Sequence, residues 1–356
     1  SGGLREAGPE GERLQRELLE AARSAGIRVI GPNCIGVFDA RSRVDTTFQS
    51  RERMGRPGPG PAAFMSQSGT FAAAFIDLAA EEGLGVSLVA SLGNRADVDE
   101  ADLLAYLAED EGTRVVGAYI ESFTDGRKLM EAIRGCPKPV VVFKAGRTSA
   151  GASAAVSHTG RMAGRHEVAS SALRQAGAIL VGSFTELYGA VKAIAKQPPA
   201  GPGGVAMVTN GAGPCVAAAD ELSEAGVPLA RLSEETRGRL RSSLPPYALV
   251  GGSVVDLTGS ATARDYLAAV EALAEAPEVG LIGVFVVFQD TPLEDEFAEL
   301  LPRVDAGKPV LVYAVGGPYT REKRLTLERA GVPAYSGVRE FSAAARALYE
   351  ARGKAL

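Results

Sequence analysis

The sequence predicts an α/β protein made of two sister copies of one parallel-sheet domain, and three observations point there. From about residue 45 onward, short apolar runs alternate with Ala-rich helical segments through short loops, the pattern of parallel sheets covered on both faces. Two Pro- and Gly-rich stretches, GRPGPGP (55–61) and QPPAGPGG (197–204), each precede the same order of strand, Gly-containing turn and helix. Three later segments then recur downstream at similar offsets, the signature of an internal repeat.

The elements follow in chain order. Residues 10–23 (EGERLQRELLEAAR) form a charged amphipathic helix that Ser24-Ala25-Gly26 closes. IRVIGPNCIGVF (27–38) reads as a buried strand, a Gly-Pro turn and a second apolar segment. A helix–strand unit with no earlier partner strand cannot bury itself. Residues 1–45 therefore read as the closing part of an α/β domain whose beginning is not in this sequence. Copy one opens with strand AAFM, turn SQSG and helix TFAAAFIDLAAEEG; copy two opens with VAMV, TNGAG and PCVAAADELSEAG. GAYIESF (117–123) recurs as GVFVVFQ (283–289), 166 residues on, and KPVVVFKAG (138–146) as KPVLVYAVG (308–316), 170 on. LRQAGAILVGSFTEL (173–187) recurs as LERAGVPAYSGVREF (327–341) at an offset of only 154, so copy one holds 16 extra residues after Gly146. The expected domains are 1–45, 46–198 and 199–356.

Composition narrows the function. Hydrophobic residues at 46% and charged residues at 23% exclude a disordered chain. A net charge of −5 argues against a duplex nucleic-acid binder, and no apolar run reaches the ~20 residues that a membrane helix needs. Cys34, Cys136 and Cys215 are odd in number and widely spaced, which suits reduced thiols and a cytoplasmic location better than a disulfide or zinc framework. With two histidines, His158 and His166, a three-His metal site is impossible, and no resident metal is expected.

The chemistry concentrates in copy one. Lys144 to His166 contains Lys144, Arg147, Arg161 and Arg165 and no acid, and 15 of its 23 residues are Ala, Gly, Ser or Thr. Such a loop is cationic, sterically open and rich in backbone N–H groups, which suits a phosphate. His158, followed by Thr159-Gly160, sits inside the insertion that copy two lacks, and copy two has no histidine. A neutral imidazole with a free pKa near ~6.5 is a competent nucleophile; an exposed loop histidine is the plainer reading. Glu121 follows strand GAYI where copy two carries Val287. A carboxylate there needs a partner, and orienting His158 through one ring nitrogen is a role it suits; an ordinary exposed strand-end Glu is the plainer reading. Ser66-Gln67-Ser68-Gly69-Thr70 joins strand to helix and makes an anion site at the helix N-terminus, with Ser66 or Ser68 as the helix cap. Walker A and G-x-S-x-G patterns are absent. Cys34 and Cys215, at Gly-Pro turns, read as buried or idle thiols rather than nucleophiles, Cys136 before Pro137 as structural, and His166 as a solvated helix-face residue.

GPNCIGVFD (31–39), SQSGTFAAAF (66–75), SLGNRADVDEADLLAYL (91–107), YIESF (119–123), KAGRTSAGASAAVSHTGRMAG (144–164) and TNGAGPCVAAADEL (209–222) together resemble the NDP-forming acyl-CoA synthetases. These are the ADP-forming acetyl-CoA synthetases, related to the succinyl-CoA synthetase α subunit, and the likeness covers nearly the whole chain. The resemblance implies a Rossmann-like CoA-binding domain, of which 1–45 is the remnant, followed by two flavodoxin-like domains. It implies the reaction acyl-CoA + ADP + phosphate ⇌ carboxylic acid + CoA + ATP through an acyl phosphate and a phosphohistidine. His158 then matches the phosphorylated histidine, Glu121 the carboxylate beside it, and Ser66, Gln67, Ser68, Gly69 and Thr70, with Thr159 and Gly160, the phosphate-holding groups. GPNC matches the loop closing the CoA and acyl site, so Asn33 and Cys34 are substrate-pocket candidates. CoA is a substrate, while ADP or ATP and Mg²⁺ arrive through an ATP-grasp β subunit or fused domain. An oligomer is expected, and the chain alone is not expected to turn over. A second reading is a non-catalytic ligand-sensing module like the synthetase-like region of some protein acetyltransferases; retention of His158 and Glu121 favours the ligase.

Overall fold

The computed structural model describes residues 3–151 and 165–354, so His158, Thr159 and Gly160 lie outside the described residues. The chain divides into two compact units, Ser1–Tyr188 with Lys354–Leu356, and Gly189–Gly353. The first 45 residues belong to the same unit as copy one, and the division falls at 188/189 where the sequence suggested 198/199.

In the first unit, α1 (Pro9–Ser24) leads to a short antiparallel pair, β1 (Val37–Asp39) and β2 (Val44–Asp45). Then come β3 (Pro59–Ser66), α2 (Gly69–Glu81), β4 (Val86–Ser91), α3 (Glu100–Glu109), β5 (Val115–Ile120), α4 (Gly126–Gly135), β6 (Val140–Lys144), α5 (His166–Ala176), β7 (Ile179–Val181) and the first residues of α6 (Phe184–Lys196), a helix that runs across the division. The seven strands lie in the order β2-β1-β4-β3-β5-β6-β7. β4-β3-β5-β6-β7 is all parallel, whereas β1 runs antiparallel to both its neighbours. All six residues of β5 are buried, as a central strand covered on both faces requires. Phe64 of β3 stacks on Phe75 of α2 at 4.4 Å, and Phe71 of α2 meets Tyr119 of β5 edge-on at 4.6 Å, which fixes α2 across the sheet.

The second unit repeats this plan. β8 (Gly204–Thr209), α7 (Gly213–Glu224), α8 (Glu234–Ser243), β9 (Leu249–Val250), β10 (Val254–Asp256), α9 (Ala263–Ala274), β11 (Val279–Phe285), α10 (Phe297–Leu300), β12 (Val310–Tyr313), α11 (Pro318–Arg329), β13 (Ala334–Tyr335) and α12 (Val338–Glu350) give a six-stranded sheet, β13-β12-β11-β8-β10-β9. Its run β10-β8-β11-β12-β13 matches β4-β3-β5-β6-β7 strand for strand, so the two copies share one topology. Register agrees as well: Ser66 pairs with Tyr119 in the first sheet and Thr209 with Phe285 in the second. Tyr119 and Phe285 lie 166 residues apart, the offset read from the sequence.

Two expectations need correction. The sheets are not wholly parallel: each carries an antiparallel margin, β1 with β2 in one and β9 in the other. Segment 27–36 is not a strand, and Ile27 stays 59% exposed. Pro32 has no N–H to donate and Asn33 takes a left-handed φ of 58°, so the extended run breaks there. Three backbone bonds still tether it, from Asn94, Ala96 and Val98 to the carbonyls of Pro32, Gly31 and Val29.

Candidate active site

In the first sheet the chain leaves β3 for β4 on one side and later returns to β5 on the other. That reversal is where open α/β sheets leave a crevice at their carboxyl ends. The turn after β3 and the residues after β5 both end there, which brings the serine-rich turn and Glu121 together.

The turn is built by its own side chains. Ser68 is the N-cap of α2, its Oγ accepting from the Phe71 N–H at 3.4 Å. Ser66, at the end of β3, accepts the Ser68 N–H at 3.1 Å and donates to the Ser68 carbonyl at 2.7 Å. Gly69 begins the helix, and a Cβ there would lie 2.6 Å from Ile35 Cγ2, so a larger residue would push aside the segment that follows GPNC. Gly69 and Thr70 thus occupy a helix's first turn, where backbone N–H groups face outward with the positive end of the dipole.

The GPNC segment reaches the same edge. Gly93 has a φ of 51°, and a Cβ there would lie 2.2 Å from the Pro32 carbonyl oxygen. Ile35 N–H donates to Ser91 Oγ at 3.3 Å, and Asn94 Nδ2 to Gln15 Oε1 of α1 at 3.3 Å. Cys34 is half-buried, its Sγ 3.9 Å from the Ile30 carbonyl, beside the left-handed Asn33. Asn33, Cys34, the serine turn and Glu121 therefore share one edge of one sheet.

Glu121 is buried, and its main chain is held on every side. Its N–H and that of Ser122 both donate to Gln67 Oε1, at 2.9 and 3.1 Å. Its carbonyl accepts from Lys144 Nζ at 2.8 Å. The Tyr119 hydroxyl is pushed well above its ordinary pKa by burial and by the Glu121 carboxylate, with which it shares a hydrogen bond. It therefore stays a neutral donor to Glu121 at any physiological pH.

Lys144 differs from the sequence expectation. It is not a cation of an open loop but the last residue of β6, 4% exposed, bonded to the carbonyls of Glu121 and Ala145. Burial pulls its pKa below the ordinary lysine value, while the Glu121 charge pulls it back up. His166 is not a solvated face residue either. It is the half-buried first residue of α5, its Nε2 3.0 Å from Ser170 Oγ, and burial followed by the Lys144 charge lowers its pKa. Cys136 and Cys215 are fully buried, and desolvation raises both thiols, Cys215 to about 12, so neither is a nucleophile at neutral pH.

Sequence reasoning missed Arg95, Glu100 and Ser122, which form a buried cluster with Gln67 behind Glu121. The GNRADVDE run was visible as a motif, but nothing along the chain ties Arg95 to residues 27 positions away.

Residues 59–194 match the succinyl-CoA ligase like flavodoxin domain. The chain is 35% identical to "Acetate–CoA ligase [ADP-forming] II subunit alpha" of Pyrococcus furiosus, over 98% of this chain and 76% of that one. It is 38% identical to "Acetate–CoA ligase [ADP-forming] I" of Archaeoglobus fulgidus over 94% of this chain, and spans 47% of that longer protein. Among solved structures, the dinucleotide-forming acetyl-coenzyme A synthetase 1 of Ca. Korarchaeum cryptofilum, in complex with phosphate and ADP, superposes with a TM-score of 0.89 at 32% identity, covering 99% of this chain and 77% of that one. The chain belongs to the ADP-forming acyl-CoA ligase family, as its α-type component.

Proposed function

We propose that this α-type component interconverts an acyl-CoA and phosphate with a carboxylic acid and CoA, and passes the phosphoryl group through His158 to ADP held by an ATP-grasp partner. The observation that supports the reading most is the buried Glu121 beside the helix-capping serine turn, in the copy whose sequence alone carries a histidine loop.

The steps balance as follows. A phosphate oxygen attacks the thioester carbonyl, the C–S bond breaks, and CoA leaves as a thiol after taking a proton. An imidazole nitrogen of His158 then attacks phosphorus, and the acyl P–O bond breaks to release the carboxylate. Finally a β-phosphate oxygen of ADP attacks phosphorus and the P–N bond breaks, regenerating neutral His158. Glu121 accepts the second ring N–H and stabilises the charge that builds on the ring. Ser68, Gly69 and Thr70 at the positive end of α2, with Ser66, Thr159 and Gly160, hold the transferring phosphate, while Gln67, whose donors are taken by Tyr119, Ser122 and Glu100, braces the Glu121 peptide instead. Asn33 and Cys34 line the acyl and CoA pocket. Magnesium accompanies the nucleotide on the partner.

A coupled assay tests this reading: acyl-CoA, phosphate and ADP are supplied to the chain with and without an ATP-grasp subunit of the same family, and ATP is measured. ATP should form only with both components present and should vanish with His158→Ala. ATP formation at an undiminished rate by His158→Ala would refute the proposal.

A further inference from the structure

The peptide that carries Glu121 is gripped by a charged cluster. Gln67 Oε1 takes the N–H groups of Glu121 and Ser122, while its Nε2 donates to the Ser122 carbonyl at 2.8 Å and to Glu100. Arg95 reaches the same residue from the other side, with Nη1 at 2.7 Å from the Ser122 carbonyl and Nη2 at 2.8 Å from its Oγ. Glu100 Oε1 accepts from Arg95 Nη1 at 3.0 Å, so one carboxylate anchors both the amide and the guanidinium. Arg95 is 4% and Glu100 3% exposed.

Burying such a pair is weak evidence of added stability, because desolvating two charges cancels much of their attraction. What the pair supplies is direction: a planar guanidinium fork bonded at both ends admits few orientations. Arg95 also holds a left-handed φ of 51°, a conformation that costs a non-glycine residue and persists where its surroundings enforce it.

Copy two shows what the strand end needs for folding alone. Asn210 stands where Gln67 does, its Oδ1 accepting from the Val287 N–H at 2.8 Å and its Nδ2 donating to the Val287 carbonyl at 3.0 Å. That amide is braced by the Tyr266 hydroxyl at 2.7 Å and by half-buried Asp290 at 3.0 Å, with no guanidinium bonded to it among the described residues. The residue so held, at the place of Glu121, is Val287. A buried Arg–Glu pair is thus dispensable for closing this turn and occurs in the copy where a carboxylate has to be aimed.

We infer that Arg95, anchored by Glu100, is a positioning residue that acts through the Gln67–Ser122 grip to aim the Glu121 carboxylate at the phosphoryl-accepting imidazole. This rests on the proposed pairing of Glu121 with His158.

The test is a double-mutant cycle on the rate of His158 phosphorylation, measured with γ-labelled ATP and the ATP-grasp partner. Arg95→Lys keeps the charge but not the fork. It should slow labelling by roughly tenfold to a hundredfold with an unchanged KM for ATP and a melting temperature near wild type. In a Glu121→Gln background the same substitution should have little further effect, because the group it aims is already gone. Ser122→Ala, which deletes one bond of the grip, serves if Arg95→Lys does not fold, and should show the same non-additivity at smaller size. Losses that multiply in the double variant would overturn the inference, as would wild-type labelling by a folded Arg95→Lys. Wild-type labelling by Glu121→Gln alone would instead remove the Glu121 reading, and this inference with it.

Discussion

Buried polar residues at the ends of β3, β5 and β6 carry the account at the scale of single side chains. Glu121 was legible in the sequence because its partner position in copy two is Val287. Lys144 was misread, because a lysine followed by Ala-Gly-Arg looks like the start of a loop; the register of β6 with β5 pairs it with Ile120 and buries it. Its lowered pKa, from burial, has a consequence for stability. Between that lowered value and the unfolded value near ~10.4, the folded chain has released the proton and the unfolded chain still binds it. Stability therefore rises with pH through that alkaline window, and the cost of the buried ammonium is fully present below it. Urea denaturation of the Lys144→Met variant should show a flatter alkaline limb than the parent; an unchanged limb would mean that the ammonium is solvated.

Among the elements, the ones that periodicity and turn chemistry specify strongly are where the sequence placed them. α2 starts at the serine turn, and the predominantly apolar strands β5, β6, β8 and β11 lie within or overlap their apolar runs. What was not legible are two- and three-residue strands: β1, β2, β9 and β10 have too little periodicity to register, and their direction depends on neighbours distant in sequence. The cap is a checkable part of α2. Ser68→Ala removes the acceptor of the Phe71 N–H and should lower stability by about 1 kcal/mol in urea denaturation. A loss near zero would show that Ser66, bonded to the Ser68 backbone, holds the turn without it.

At the scale of the whole molecule, two units repeat one strand order, and the histidine loop and the strand-end carboxylate occur in the first copy alone. The repeat was readable because corresponding strands keep their offsets, 166 and 170, while the drop to 154 exposed the insertion around His158. The division into compact units has no such mark along the chain. The structural boundary lies at 188/189, inside α6, where the helical sequence runs on with no change of composition, whereas the Pro-rich stretch at 197 marks only the approach to β8. The Arg95–Glu100 grip was invisible for a related reason, since its four residues come from three separate segments, the turn after β3, the run 93–100 and the residues after β5, that meet only once the sheet is assembled.

The account as a whole turns on a transient phosphoryl group at one imidazole. Incubating the chain with an ATP-grasp partner, Mg²⁺ and γ-labelled ATP, followed by denaturation and separation, should leave acid-labile, base-stable label on this chain that maps to His158 and is absent from His158→Ala. No label under these conditions, or label that survives the substitution, would contradict it.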